Sequence, residues 1–468
     1  MDNTKKLGEG NVLKLLVSFS IPAIVGMLVT ALYNVVDRIF IGHSVGPLGL
    51  AGITIGFPIM IIQMAFGMLI GLGASSLISI KLGEKKKDEA EKVVGNAVVL
   101  LAIITVAITV VGLIFLDEIL ILFGASNEVL PYAKDYIGIV ICGSVFTAFS
   151  MGLNNFIRAE GKPSIAMLTM VIGAVLNLIL APIFIFVLEW GMFGAGLAAV
   201  ISQGCSAIWI VLHFIVGNST LKIKVKYFKL EKSIIMGILS IGIAPFSMQL
   251  AQCLLTIILN SKLKQYGGDV AISGMGVLNS IMTLIMMPVI GINQGSLPII
   301  GYNFGAKNYD RVKRVLKYAI VGATAISTFG FLVVQLFPTQ LLSLFTNDEE
   351  LIEFGSKLMV YFLLMLPIVG FQVIGSGFFQ AIRKAGKSMV LNLSRQVLIL
   401  IPALLILPHF FEMNGVLAAG PISDFLAAGL TAYWVTKEIK KLGAASPIGN
   451  DPALHEEIVV KPTLAEAE

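Results

Sequence analysis

Asp37 stands inside an apolar run, in the order Tyr33-Asn34-Val35-Val36-Asp37-Arg38. On a helix, Tyr33 at i−4 and Asn34 at i−3 share a face with the carboxylate. Ionisable groups in hydrocarbon cost at least ~2.5–3.5 kcal/mol at mid-helix, so one retained there is a candidate for carrying a proton or holding a cation. The competing reading is an interfacial ion pair with Arg38 or a neighbour. Asn177 is an amide alone among apolar residues. It would be costly without a partner, and a helix–helix hydrogen bond is its plainer explanation. Glu160, in Arg158-Ala159-Glu160-Gly161-Lys162-Pro163, is a further candidate that can instead pair with its basic neighbours. Asp37, Asn34, Tyr33, Asn177 and Glu160 are thus the residues suited to proton or cation exchange.

A second set suits a cavity. Gln63, Met64, Met167, Gln203, Met286, Met287 and Gln294 combine amides with methionine thioethers, which are polarizable and adapt to many shapes. At helical spacing the methionines also read as ordinary core. Arg395, Gln396 and Asp424 supply polarity in the second half, where Asp424 can pair with Arg395.

Other chemistry is missing. The four histidines and three cysteines show no metal-ligand spacing, so no metal site is expected. Arg383-Lys384-Ala385-Gly386-Lys387-Ser388 ends like a phosphate loop, but Ala381 occupies the position of its first glycine. No nucleophile or acid–base motif marks an enzyme, and no cofactor is implied.

The elements that must position these residues follow from composition. The 468 residues are 57% apolar and 13% charged, with 47 glycines, and the mean hydropathy is +0.91. That balance excludes an ordinary soluble enzyme. A net charge of +5 is too weak and scattered for nucleic acid. A crossing needs about 20 mostly apolar residues. Twelve such stretches lie near 14–39, 51–80, 93–116, 130–157, 163–187, 192–216, 237–261, 271–302, 311–337, 351–381, 388–408 and 415–436. With the N-terminus inside, 27 of the 33 Lys/Arg fall on cytoplasmic segments. Acidic or neutral links, such as Asp117-Glu118 and Asp348-Glu349-Glu350, fall outside.

A shift of about 222 positions superposes the halves, placing Gly46 on Gly268, Gly73 on Gly295, Gly83 on Gly305 and Lys85 on Lys307. After a small insertion, Arg158 and Lys162 match Arg383 and Lys387. Six crossings per copy give both copies the same orientation. The expected fold is an all-α polytopic membrane protein with two parallel six-helix bundles related by a pseudo-two-fold axis. Its parts are a cytoplasmic N-terminus (1–13), an N-terminal bundle (14–216), a cytoplasmic linker (217–236), a C-terminal bundle (237–441) and a disordered cytoplasmic tail (442–468).

Leu32-Tyr33-Asn34-Val35-Val36-Asp37-Arg38 followed by Gly42 and Gly46 resembles the first span of multidrug and toxic compound extrusion (MATE) transporters. The Arg-Gly-Lys links after spans 4 and 10, and Gly194-Ala195-Gly196 to Ser202-Gln203, resemble that family too, nearest its MepA-like bacterial branch. The resemblance covers the chain to about residue 440. It implies a V-shaped cavity between bundles and export of cationic, aromatic drugs in exchange for protons or sodium by alternating access. It also implies a cation site whose first-span aspartate is Asp37 and whose fifth-span asparagine is Asn177. Two positions depart from the pattern, with Ala181 in place of an aspartate and Ala199 in place of a threonine. Sodium prefers several oxygens, so these losses favour proton coupling through Asp37, or a chain with weakened transport. The partners expected are small cationic or aromatic drugs and membrane lipid, for a monomer in the plasma membrane with both termini cytoplasmic. The alternative is a flippase for lipid-linked saccharides, built on the same superfamily plan.

Overall fold

The computed structural model describes residues 7–345 and 349–444. Residues 1–6, Asp348 with the two positions before it, and the expected tail from residue 445 onward lie outside the described residues. No strand occurs among the described residues. In lipid only a helix satisfies its own backbone within one crossing segment, so long apolar runs must become helices.

Counted as crossings, α1 is Val12–Ser44, α2 Pro47–Gly83 and α3 Lys87–Ile114. Next, α4 is the pair Leu130–Cys142 and Ser144–Ala159, α5 is Pro163–Val187 and α6 is Gly191–Ile215. A linker then leads into a backbone that stays helical through Lys232–Gly305. It holds α7 (Lys232–Leu263) and α8 (Gly274–Gly305). Then α9 is Tyr309–Leu336, and α10 is the pair Glu349–Phe362 and Leu366–Ala381. The last stretch, Ala385–Gly443, has 59 residues, about twice the 25 to 36 residues of the other unbroken crossings. It breaks at Glu412 (φ 49°, ψ −128°) into α11 (385–411) and α12 (413–444). Among the described residues the crossings therefore number twelve.

The duplication extends to irregularities that no residue pattern announces. Both α4 and α10 bend by 51°. Both α5 and α11 also contain a π-helical turn, Ile183–Val187 and Ser394–Leu400, although these do not fall at matched positions. Left-handed backbone recurs at Lys85 and Lys307 (φ 60° and 57°), and at Gly161 and Arg383 (φ 91° and 60°). Each pair is separated by 222 positions, which removes the small insertion expected before α5. The helix-ending turns align Gly161 with Arg383, so the structural counterpart of Arg158 is Gln380 rather than Arg383. The sequence match followed residue identity, whereas the turn requires only a residue able to stand at positive φ.

Three apolar clusters fill the interior. One lies at the Asp37 end of the N-terminal bundle and contains Ile41, Ala133, Tyr136, Ala181, Ile185 and Ala195. The second, at the end with the basic loops, joins α2, α3, α4 and α6 with linker Leu221 and with Ile238 and Ile241 of α7. The third fills the C-terminal bundle and takes in Leu15, Leu16 and Phe19 of α1. Each bundle's first helix therefore begins packed against the other bundle, and both of these crossings occur at the basic end.

Candidate functional site

Five carboxylates are buried among the described residues: Asp37, Glu91, Glu160, Asp424 and Glu438. Four have a cation beside them. Glu91 meets Lys224, and Glu438 meets Lys384 and also Lys387 at 3.0 Å. Asp424 meets Arg395 Nε at 2.5 Å, the pairing anticipated within the C-terminal bundle. Glu160 lies 3.6 Å from Lys162 Nζ and 2.8 Å from His213 Nε2. Asp37, 8% exposed, has no ion-pair partner among the described residues, and no donor reaches its Oδ1. Arg38, the neighbour best placed in sequence to neutralise it, instead lies over the Phe57 ring at 5.8 Å.

Helix geometry puts Asp37 there. Tyr33, Asp37 and Ile41 recur every four residues, so they line one face of α1. Ile41 is fully buried in the cluster that holds Tyr136 of α4 and Ala181 of α5. A close approach seats α1 on α5, since a Cβ on Gly26 would stand 2.7 Å from Met170 Sδ. Farther along, Phe40 meets Phe186 of the α5 π turn edge-on at 5.8 Å. Asn177 is buried one turn before Ala181, which is itself fully buried. Ala181 thus presents a methyl group to apolar neighbours where a carboxylate would have brought two oxygens. Ala199, on α6, is half-buried. The side chain of Asn34 lies outside the described residues. Tyr136, which the sequence reading missed, is buried and interacts electrostatically with Asp37, Tyr33 and Arg38. Its only signal was a hydroxyl within the apolar fourth span.

Glu160 is not part of this group. It follows Tyr136 by 24 positions along α4, about 36 Å of helix at ~1.5 Å per residue. It caps the basic end, where Ser219 Oγ donates to it at 2.5 Å and the amides of Thr220 and Leu221 donate at 3.0 and 3.4 Å. Glu91 accepts from the Lys222 amide, and Asn96 binds Tyr227, Lys229 and Glu231. Three buried polar side chains therefore fasten the linker to the N-terminal bundle.

The residues suggested for a cavity differ widely in exposure. Met64 is 40% exposed, whereas Met286 is buried in the C-terminal core. Gln63 is buried with an unmatched Nε2, and Met167, Gln203 and Met287 are half-buried. Gln294 accepts a hydrogen bond from Arg158 across the bundle interface. Among the described residues, no group of three or more His, Cys, Asp or Glu side chains could hold a metal ion.

Two six-helix copies, with one uncompensated carboxylate buried in the first, define a secondary membrane transporter in plan. The MatE family model matches residues 22–183 and again 246–405, once in each bundle, and the chain belongs to this family of multidrug export transporters. It is 29% identical over 427 residues to the multidrug export protein MepA of Staphylococcus haemolyticus, covering 91% of this chain and 94% of that protein. Among solved structures it resembles the MATE multidrug transporter DinF-BH, solved in complex with a ligand, with a TM-score of 0.86 and 40% identity over 91% of this chain and 95% of that one. It also resembles an outward-facing MATE family transporter of the MOP superfamily, with a TM-score of 0.89 and 27% identity over 93% and 98% of the two chains.

Proposed function

We propose that this chain is a proton-coupled multidrug antiporter that exports cationic, aromatic compounds by alternating access. Asp37 takes up a proton on one side of the membrane and releases it on the other. Its protonation changes how α1 packs on α5, and that bias shifts the balance between two bundle arrangements. The observation that carries the reading is that Asp37 alone, among the buried carboxylates of the described residues, lacks a counter-charge. Coupling by protons rather than sodium follows from Ala181 and Ala199, which bring no oxygen to the site. The ligand-bound structure of the multidrug transporter DinF-BH supports a small-molecule drug as the cargo. The basic loops support a cytoplasmic N-terminus in the plasma membrane. A lipid-linked saccharide flippase would need several arginines free to hold a diphosphate. Here Arg395 is engaged by Asp424 and Arg38 lies over Phe57.

Ethidium efflux from cells expressing Asp37→Asn at wild-type levels tests the proposal. Efflux should fall to background. Undiminished efflux removes Asp37 from the mechanism. Transport under separately imposed gradients distinguishes the ions, because sodium alone should support none.

A further inference from the structure

The basic end of the bundle interface closes on bare backbone. A Cβ on Gly242 of α7 would stand 1.7 Å from the Leu69 carbonyl of α2, and one on Gly73 would stand 2.3 Å from that of Ile238. Gly83 and Gly305 make equally close crossings with Tyr302 and Ile80, at 2.0 and 2.1 Å. Ser79 of α2, fully buried, faces Gly301 of α8 in the same seam. Contacts of this kind pack well in lipid but carry little to distinguish closed from open.

Arg158 adds that distinction. It sits at the basic end of α4 with 6% exposure and has no ion-pair partner among the described residues. Its Nη1 donates to Asn155 Oδ1 on its own helix at 3.3 Å and to Gln294 Oε1 on α8. Its Nη2 touches Met170 Sδ at 3.4 Å. When the bundles separate at this end, Asn155 moves with Arg158 while Gln294 departs and water replaces it. The guanidinium is thus dehydrated only in the closed arrangement, where one amide oxygen from the opposite bundle compensates it. A buried charge favours rehydration, and the Gln294 acceptor opposes that tendency.

We propose that Arg158 and Gln294 form the gate at the basic end of the transporter and set the balance between its two arrangements. This rests on the alternating-access reading above, but not on Asp37 being the coupling group. The two sides of the contact should act in opposite directions. Arg158→Gln removes the charge that seeks water and keeps a hydrogen-bonding group, so the gate stays closed longer. Gln294→Leu leaves the charge buried without its acceptor, so the gate opens more.

The test is the rate at which N-ethylmaleimide labels Ser79→Cys in proteoliposomes, with Cys142, Cys205 and Cys253 replaced by serine. Labelling should slow in Arg158→Gln and quicken in Gln294→Leu, each by about tenfold, the size expected for a hydrogen bond to a charged group. Arg158→Lys keeps the charge and should remain near the parent rate, which preserves the test if Arg158→Gln fails to fold. Both variants moving the rate in one direction, or neither moving it, overturns the latch. Labelling that responds to drug but not to positions 158 and 294 overturns the latch and leaves alternating access standing. A cysteine at 79 that no variant or condition exposes overturns both.

Discussion

Replacing Glu160 tests whether the linker is part of the N-terminal bundle or a slack tether between two moving bodies. Its fully buried carboxylate accepts from Ser219, from the Thr220 and Leu221 amides and from His213, with Lys162 close by. Glu160→Ala leaves the Thr220 amide without its acceptor and His213 and Lys162 without their carboxylate, while the Ser219 hydroxyl and the Leu221 amide keep one partner each, in each other's residue. Unmatched buried donors cost about 1–3 kcal/mol each, and breaking a buried charged pair costs about 3–5 kcal/mol in all. Since Asn96 still holds the linker from Tyr227 onward, the loss falls on local opening of the preceding segment, residues 217–224, which Glu91 alone then tethers through Lys222 and Lys224. At ~1.36 kcal/mol per tenfold, the lower figure of about 3 kcal/mol raises the open population more than a hundredfold. When reclosing is faster than cleavage, proteolysis follows that population. Trypsin should therefore cut at Lys222 and Lys224 of Glu160→Ala about a hundred times faster than in the parent protein. Glu160→Gln, which keeps volume and one carbonyl acceptor, should fall between the two. An unchanged cleavage rate in Glu160→Ala would show that the network does not hold the linker, and would refute the anchoring argument.

The Arg395–Asp424 pair should behave as a structural contact. Asp424→Asn alone should lower detergent-solubilised stability by about 3–5 kcal/mol, whereas Arg395→Leu with Asp424→Leu should recover most of it, as read by thermal unfolding. At the α2–α3 turn, burial works against the charged form of Glu84, yet hydrogen bonds from Lys81 and Lys86 hold its carboxyl below the usual value of 4.5. A depressed carboxylate stabilises the fold above its unfolded value and loses that contribution as pH falls through the folded one. Hydrogen–deuterium exchange at residues 84–87 should therefore rise below about pH 4.5 in the parent and rise less in Glu84→Gln, where Glu89 still titrates against Lys81 and Lys86.

Fold class was readable because hydrocarbon imposes a single local solution and the basic residues gather on alternate loops. The bends were not readable. In α4 the bend falls at Gly143, against which Val200 packs so closely that a Cβ would stand 2.3 Å from its Cγ2. That contact is tertiary, between residues far apart in sequence. The same distance hid the difference between Asp37 and Glu160. Both were candidates for proton or cation exchange; pairing of Glu160 with a basic neighbour was legible in the sequence and is met by Lys162, but its other partners, His213 and Ser219, lie 53 and 59 positions away. Arg158 was visible only as a marker of topology, because its contact with Gln294 spans 136 positions.

Comparing the five buried carboxylates shows why burial by itself does not identify a coupling group. One charge moved through ~150 mV releases about 3.4 kcal/mol, at ~2.3 kcal/mol per 100 mV. Separating a buried acid from its cation costs about 3–5 kcal/mol, as much as the whole of that driving force or more. Glu91, Glu160, Asp424 and Glu438 would each have to meet that cost on every cycle. Asp37 has no such bond to break. For it the competing term is the cost of a lone ionised group in hydrocarbon, at least ~2.5–3.5 kcal/mol, which one proton's electrical energy can match. A carboxylate can be charged and discharged once per cycle only where those two energies are similar. That condition is lost wherever a lysine, arginine or histidine stands beside the carboxyl, and among the buried acids of the described residues Asp37 alone has none beside it.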